Sequence, residues 1–135
     1  MTARAAKKPR KPAPIWRTCL PLSALDAFCR SREIPRIHAL KLDVQGAEMA
    51  VLKGSSSLLA DARINLIFTE MTFVPHYEGA ASVDRLIDFL ASYGYSLFNL
   101  YEETSARNGQ LTFCNALFVS SQVRGTVLDK FPPES

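Results

Sequence analysis

The sequence predicts an α/β domain in which strands alternate with helices and an antiparallel hairpin closes the C-terminal side. Three observations predict it. Two apolar runs, 37–44 and 64–70, carry strand-like residues, hold acids at Asp43 and Glu70, and are separated by a helical stretch. Val83, Leu86, Ile87, Leu90 and Tyr93 repeat at helical spacing. The last two strand-like runs, 95–101 and 110–120, are joined by a polar, turn-rich loop with no helix between them, so they are expected to pair antiparallel.

Each element follows from local chemistry. Leu22, Leu25, Phe28 and Cys29 fall at helical spacing, which predicts a helix over 23–31 with Ser23 as its N-cap. The Ile34-Pro35 step is expected to end it, because a residue before proline avoids helical dihedrals. A strand over 37–44 follows, and Gln45-Gly46 supplies a tight turn. A helix restarts at Ala47, is interrupted at Gly54, and continues its apolar face through Leu58 and Leu59. The run 64–70 is mostly apolar, which predicts a strand covered on both faces. The segment 71–81 reads as irregular. Ser82 is the expected cap of the helix after it, and Gly94 stands where a glycine ends a helix. Alternation of this kind implies parallel pairing with right-handed crossovers.

The 135 residues allow one modest domain, and 47% apolar content is enough for a real core. No apolar run approaches the ~18 residues that cross a bilayer, and no apolar stretch follows the basic N-terminus as in a secretory signal. Cys19, Cys29 and Cys114 are odd in number and far apart, which suits free thiols in a reducing compartment better than disulfides or zinc. A cytoplasmic protein is expected. The net charge of +3 belongs to the start of the chain: Arg4, Lys7, Lys8, Arg10, Lys11 and Arg17 all precede the first acid, and the remaining ten bases face thirteen acids. Residues 1–19 read as a basic, disordered tail. Without interleaved aromatics before Trp16, it argues against a nucleic-acid partner. Residues 20–121 form the expected domain and 122–135 a frayed end.

The segment Leu40-Lys41-Leu42-Asp43-Val44-Gln45-Gly46-Ala47-Glu48, with Val51-Leu52-Lys53-Gly54 after it, resembles the signature of FkbM-type methyltransferases. The likeness extends to Leu25-Asp26-Ala27-Phe28 upstream, and to Glu70, Tyr93-Gly94-Tyr95 and Asn115-Ala116-Leu117-Phe118-Val119 downstream, over roughly 20–120. It implies the C-terminal portion of a partial Rossmann-like, class I methyltransferase sheet whose N-terminal strands are missing. It also implies S-adenosylmethionine as cofactor and O-methyl transfer to a hydroxyl of a small acceptor such as a sugar or polyketide.

A complete domain of that kind begins with a strand, a glycine-rich turn and a helix that hold the cofactor. Here glycines stand at 46, 54, 79, 94, 109 and 125, none near another. The cofactor cradle is therefore expected to be absent and the chain, as a truncated fragment, inactive alone. The strand ending at Asp43 would then be an exposed edge, inviting self-association or a complementary chain. The rival expectation is a non-enzymatic α/β binding module whose basic tail contacts an anionic partner.

Ligands of open α/β sheets bind beyond the C-terminal ends of parallel strands. That makes Asp43 and Glu70 the first candidates for catalysis, with Asp43 serving as base, acceptor anchor or cation ligand, or merely as a helix cap. Glu70 either faces the cleft or pairs with Lys41 or Arg63. His76 is a candidate proton acceptor or an ordinary loop histidine. Gln45 and Gly46 join Asp43 as cofactor-binding candidates by the resemblance, although Gln45 stands where many family members carry an acid. Glu48 and Tyr77 are substrate-binding candidates, Glu48 alternatively a partner of the helix dipole. No metal set is assigned.

Overall fold

Four strands make one mixed sheet in the order β1-β2-β4-β3, with β1 at Ile37–Leu42, β2 at Ile64–Thr72, β3 at Tyr95–Ser105 and β4 at Leu111–Ser120. The computed structural model describes residues 23–74 and 78–131. The expected basic tail, His76, Tyr77 and the last four residues lie outside that description. β1 and β2 run parallel, as the intervening helices predict, and β3 and β4 form the antiparallel hairpin. The sheet is more mixed than a parallel array with an appended hairpin, because β4 inserts between β2 and β3 and pairs antiparallel with both. Among the described residues β1 is an edge strand, paired only with β2.

Helices α1 (Leu25–Ser31), α2 (Glu48–Lys53), α3 (Ser56–Ala60) and α4 (Val83–Ser92) bury Cys29, Leu52, Leu58, Leu59, Leu86 and Leu90 in one core. The strands meet them with Leu42, Ile67, Met71, Cys114, Ala116 and Phe118. Ile67 pairs with Phe118, and Met71 with Cys114, so these residues share one face of the sheet. Cys29 and Cys114 are free, buried thiols, and burial pushes that of Cys114 above its ordinary range.

The opposite face is less covered than the apolar reading of 64–70 predicts. Leu66, Phe68, Glu70 and Thr72 are only partly buried, as are their β4 partners Leu117, Asn115 and Phe113. Ala39 and Lys41 beside them on β1 are exposed. Cover comes at one end, where Arg124 of α5 (Ser121–Thr126) donates from Nε to Ser96 Oγ at 2.8 Å, and Ser96 pairs with buried Val119. A composition of apolar side chains marks a strand that can be covered, and cannot say by what.

Several boundaries differ from the sequence reading for identifiable reasons. Ser23 does not cap α1: its hydroxyl donates to the Ala24 carbonyl, and Ala24 holds the N-cap position with no side-chain bond. Ser82 holds the N-cap position of α4, as expected, but makes no side-chain cap bond. The first helix ends before Ile34-Pro35, because Glu33 turns to φ 53° and the Ile34 amide closes on the Cys29 carbonyl at 2.9 Å. β1 stops at Leu42, so Asp43 lies just past it. β2 continues to Thr72, its alternation Ile67, Thr69, Met71 remaining buried. Within the expected frayed end, α5 forms and Ser120 caps it by accepting from the Val123 amide, and Leu128–Lys130 adds a 3-10 turn. Gly94 closes α4 at φ 81°, as its position predicts.

One buried hydrogen bond fastens β3 to the far side of the core. The Tyr95 hydroxyl donates to the Ile64 carbonyl at 2.6 Å, with Tyr95 only 3% exposed. Burial pushes its phenol up to about 12, above the ~10 of an unfolded tyrosine. A phenol whose folded value is raised stabilises the fold fully below the unfolded value, and that contribution is lost as pH climbs toward the folded one. Stability is therefore expected to fall between pH ~10 and ~12. In Tyr95→Phe this alkaline loss should shrink while about 1–2 kcal/mol disappears at neutral pH. Urea melts of both proteins at pH 8 and 11 check this, and parallel curves at the two pH values would remove Tyr95 as the cause.

Candidate functional site

Register across the sheet assembles a polar row. Leu42 pairs with Thr69 as the last pair of β1 and β2, so Asp43, the first residue past β1, follows on the level of Glu70. Glu70 pairs with Asn115, and Asn115 with Tyr101. Glu70, Asn115 and Tyr101 thus occupy one level, two residues before the end of β2, with Asp43 just past the end of β1 beside them. The β-bulge between Tyr101 and Thr104 puts Glu102 at φ 52°, and the Asn115 amide Nδ2 donates to the Glu102 carboxylate. Across the strand the Phe68 and Tyr101 rings lie 6.1 Å apart.

Sequence reasoning found the two acids at the strand ends and missed Asn115 and Glu102. The available signal was a single asparagine inside the otherwise apolar run Phe113-Cys114-Asn115-Ala116-Leu117-Phe118. Its neighbours depend on a register that no local pattern specifies. Of the alternatives for Glu70, pairing with Arg63 is excluded by distance: Arg63 precedes the other end of β2, about 20 Å away at strand rise. Lys41 stands opposite Phe68.

Asp43 is exposed and does not cap α2, whose N-cap is Ala47 with no side-chain bond. The turn after β1 is held by Glu48 instead. Gln45 and Gly46 both take positive φ, 50° and 98°. The latter is the conformation expected of Gly46 and the former a strained one for a side-chain-bearing residue. The Glu48 carboxylate accepts from the Gly46 amide at 3.0 Å and from the Val44 amide at 3.4 Å. The carboxylate belongs to the first residue of α2 and ties down the turn that leads into the helix, its charge at a helix start where the dipole favours it. A second acid works similarly at α3. Asp26 accepts from the Ser57 and Leu58 amides at 2.8 and 3.0 Å. Partial burial opposes its charge, and these hydrogen bonds outweigh that and hold the carboxyl below its ordinary value.

The geometry bears on the implied cofactor. A nucleoside cofactor held in this kind of sheet needs backbone amides free at a glycine-rich turn. The turn at Gly46 follows β1, but its amide is already donated to Glu48. The described residues therefore do not by themselves fit S-adenosylmethionine. Nor, among them, do three or more His, Cys, Asp or Glu side chains gather as a metal site. No helix of the described residues is long and apolar enough to cross a membrane. His76 and Tyr77 fall outside the described residues.

A family model described as Methyltransferase FkbM domain matches residues 18–97, more than half of the chain. The match includes α1, β1, the Gly46 turn, β2 and α4, and ends inside β3, short of Asn115. No curated protein and no solved structure matches the chain. Through a stretch that holds both Asp43 and Glu70, the chain belongs to the FkbM methyltransferase domain family.

Proposed function

We propose that the chain is the acceptor-binding part of an O-methyltransferase dependent on S-adenosylmethionine, built on a partial Rossmann-like sheet. The observation that carries this reading is the family match across the strand–turn–helix unit around Asp43. The polar row supports it, since hydroxyl recognition needs hydrogen-bonding side chains at the strand ends. In this reading Asp43 takes the proton from the acceptor hydroxyl, while Glu70 and Asn115 hold the acceptor in line.

Because the Gly46 amide is committed to Glu48, the cofactor is bound only when a strand, glycine-rich turn and helix are supplied from outside the described residues, a complementary chain or a second copy being two sources. The exposed edge of β1 is the place for such a strand. Calorimetric titration of the folded chain with S-adenosylmethionine tests this. Little or no heat is expected up to millimolar cofactor. Micromolar binding by the purified monomer would overturn the requirement for an outside unit, while leaving the methyltransferase reading in place.

A further inference from the structure

A cleft of about 400 Å³ opens between α2 and α4, within the size range of small-ligand pockets. Met49, Ala50 and Lys53 of α2 form one wall, and Arg85 and Phe89 of α4 the other. Gly46 stands at one end and residues 79–81 complete the lining. Two cations, Lys53 and Arg85, thus border a space otherwise lined by apolar or small residues, with no carboxylate lining it among the described residues.

Two acids near the cleft in sequence, Glu48 and Asp84, are engaged elsewhere, and the exposed Glu78 and Asp88, beside Gly79 and Phe89, are not among its lining residues. The Glu48 carboxylate accepts from the Gly46 and Val44 amides. Asp84, beside Arg85, is held below its ordinary range chiefly by the Ser82 hydroxyl and then by the Arg85 amide. Two positive groups bordering one cleft gain from an anion between them, and an arginine fork suits carboxylate and phosphate geometry. The apolar walls, Met49 and Phe89 above all, suit a short hydrocarbon body.

We infer that the α2–α4 cleft binds an anionic group, carboxylate or phosphate, carried on a ligand with a small apolar body, through Lys53 and Arg85. The cleft begins at Gly46, three residues beyond Asp43. On the functional reading above, the ligand is therefore the methyl acceptor, with its anionic group in the cleft and its hydroxyl toward the strand ends.

The probes are hexyl phosphate, hexanoate and 1-hexanol, titrated into the full chain while the backbone amides of Gly46 and Gly79 are followed by NMR. Saturable shifts with the anions and none with 1-hexanol are expected, the tighter anion identifying the group as phosphate or carboxylate. Lys53→Gln and Arg85→Gln, both at exposed positions, should each weaken binding about ten-fold and leave the remaining spectrum in place. Equal response to 1-hexanol, absence of any shift with the anions, or unchanged affinity in both variants would overturn the proposal. The titration needs neither cofactor nor turnover. A chain that binds these anions yet never methylates anything sinks the methyltransferase reading alone, and a methylating chain blind to them sinks this one alone.

Discussion

Phe118→Ala should destabilise the chain by about 3–5 kcal/mol, the usual cost of emptying a buried aromatic site. Phe118 is 1% exposed and lies on the central strand β4, facing Ile67 on one side and Leu97 on the other. It is the largest fully buried side chain among the described residues. A domain of this size has only ~5–15 kcal/mol in total, so the loss leaves little or no folded population. In urea, where slopes for small domains are ~1–3 kcal/mol per molar, the midpoint should drop by more than 1 M or the transition should vanish. Phe131 provides the internal comparison. At 78% exposure, its replacement by alanine should stay within about 0.5 kcal/mol. Similar melts for the two variants would mean that the core is not centred on β4.

Asp43→Ala addresses chemistry without touching the core. Its side chain is exposed and caps no helix, so the urea midpoint should match that of the wild type within about 0.5 kcal/mol. In a preparation with methyl-transfer turnover, loss of a general base is expected to lower the rate by about 10²–10⁴-fold. Asp43→Asn should lose nearly as much, since the amide keeps the shape but cannot take a proton. Wild-type rates in both variants would remove Asp43 from the chemistry. A rate loss in Asp43→Ala restored by Asp43→Asn would instead make it an anchor for the acceptor.

Separation along the chain divides the features that the sequence makes legible from those it hides. What was legible depended on residues near one another along the chain: the amphipathic spacing that became α4, the Gln45-Gly46 turn, the break at Gly54 between α2 and α3, and the hairpin of β3 and β4. Of the two expected caps, Ser82 takes the N-cap position without a side-chain bond, and Ser23 yields that position to Ala24. The extension of β2 to Thr72 was hidden because pairing with β4 sustains it: Thr72 is held opposite Phe113 by contacts distant in sequence. Helix α5 was hidden in a stretch whose apolar content is low. At the site, Asp43 and Glu70 were legible from their places at strand ends. Asn115 and Glu102 were not, because the register of β4 against β2 and a bulge in β3 bring them there.

The place of β4 also constrains the order in which the chain can assemble. Among the described residues the backbone of β3 pairs only with β4, so it has no ladder partner until β4 arrives. The β3–β4 turn closes over a few residues, with the Ala106 amide bonded to the Gln110 carbonyl at 2.8 Å, whereas β2 and β4 must meet across a much longer loop. Short loops close at lower entropic cost and faster than long ones. Loop length therefore favours a hairpin that forms as a unit and docks through its inner strand, with capture of β4 by β2 as the expected slow step.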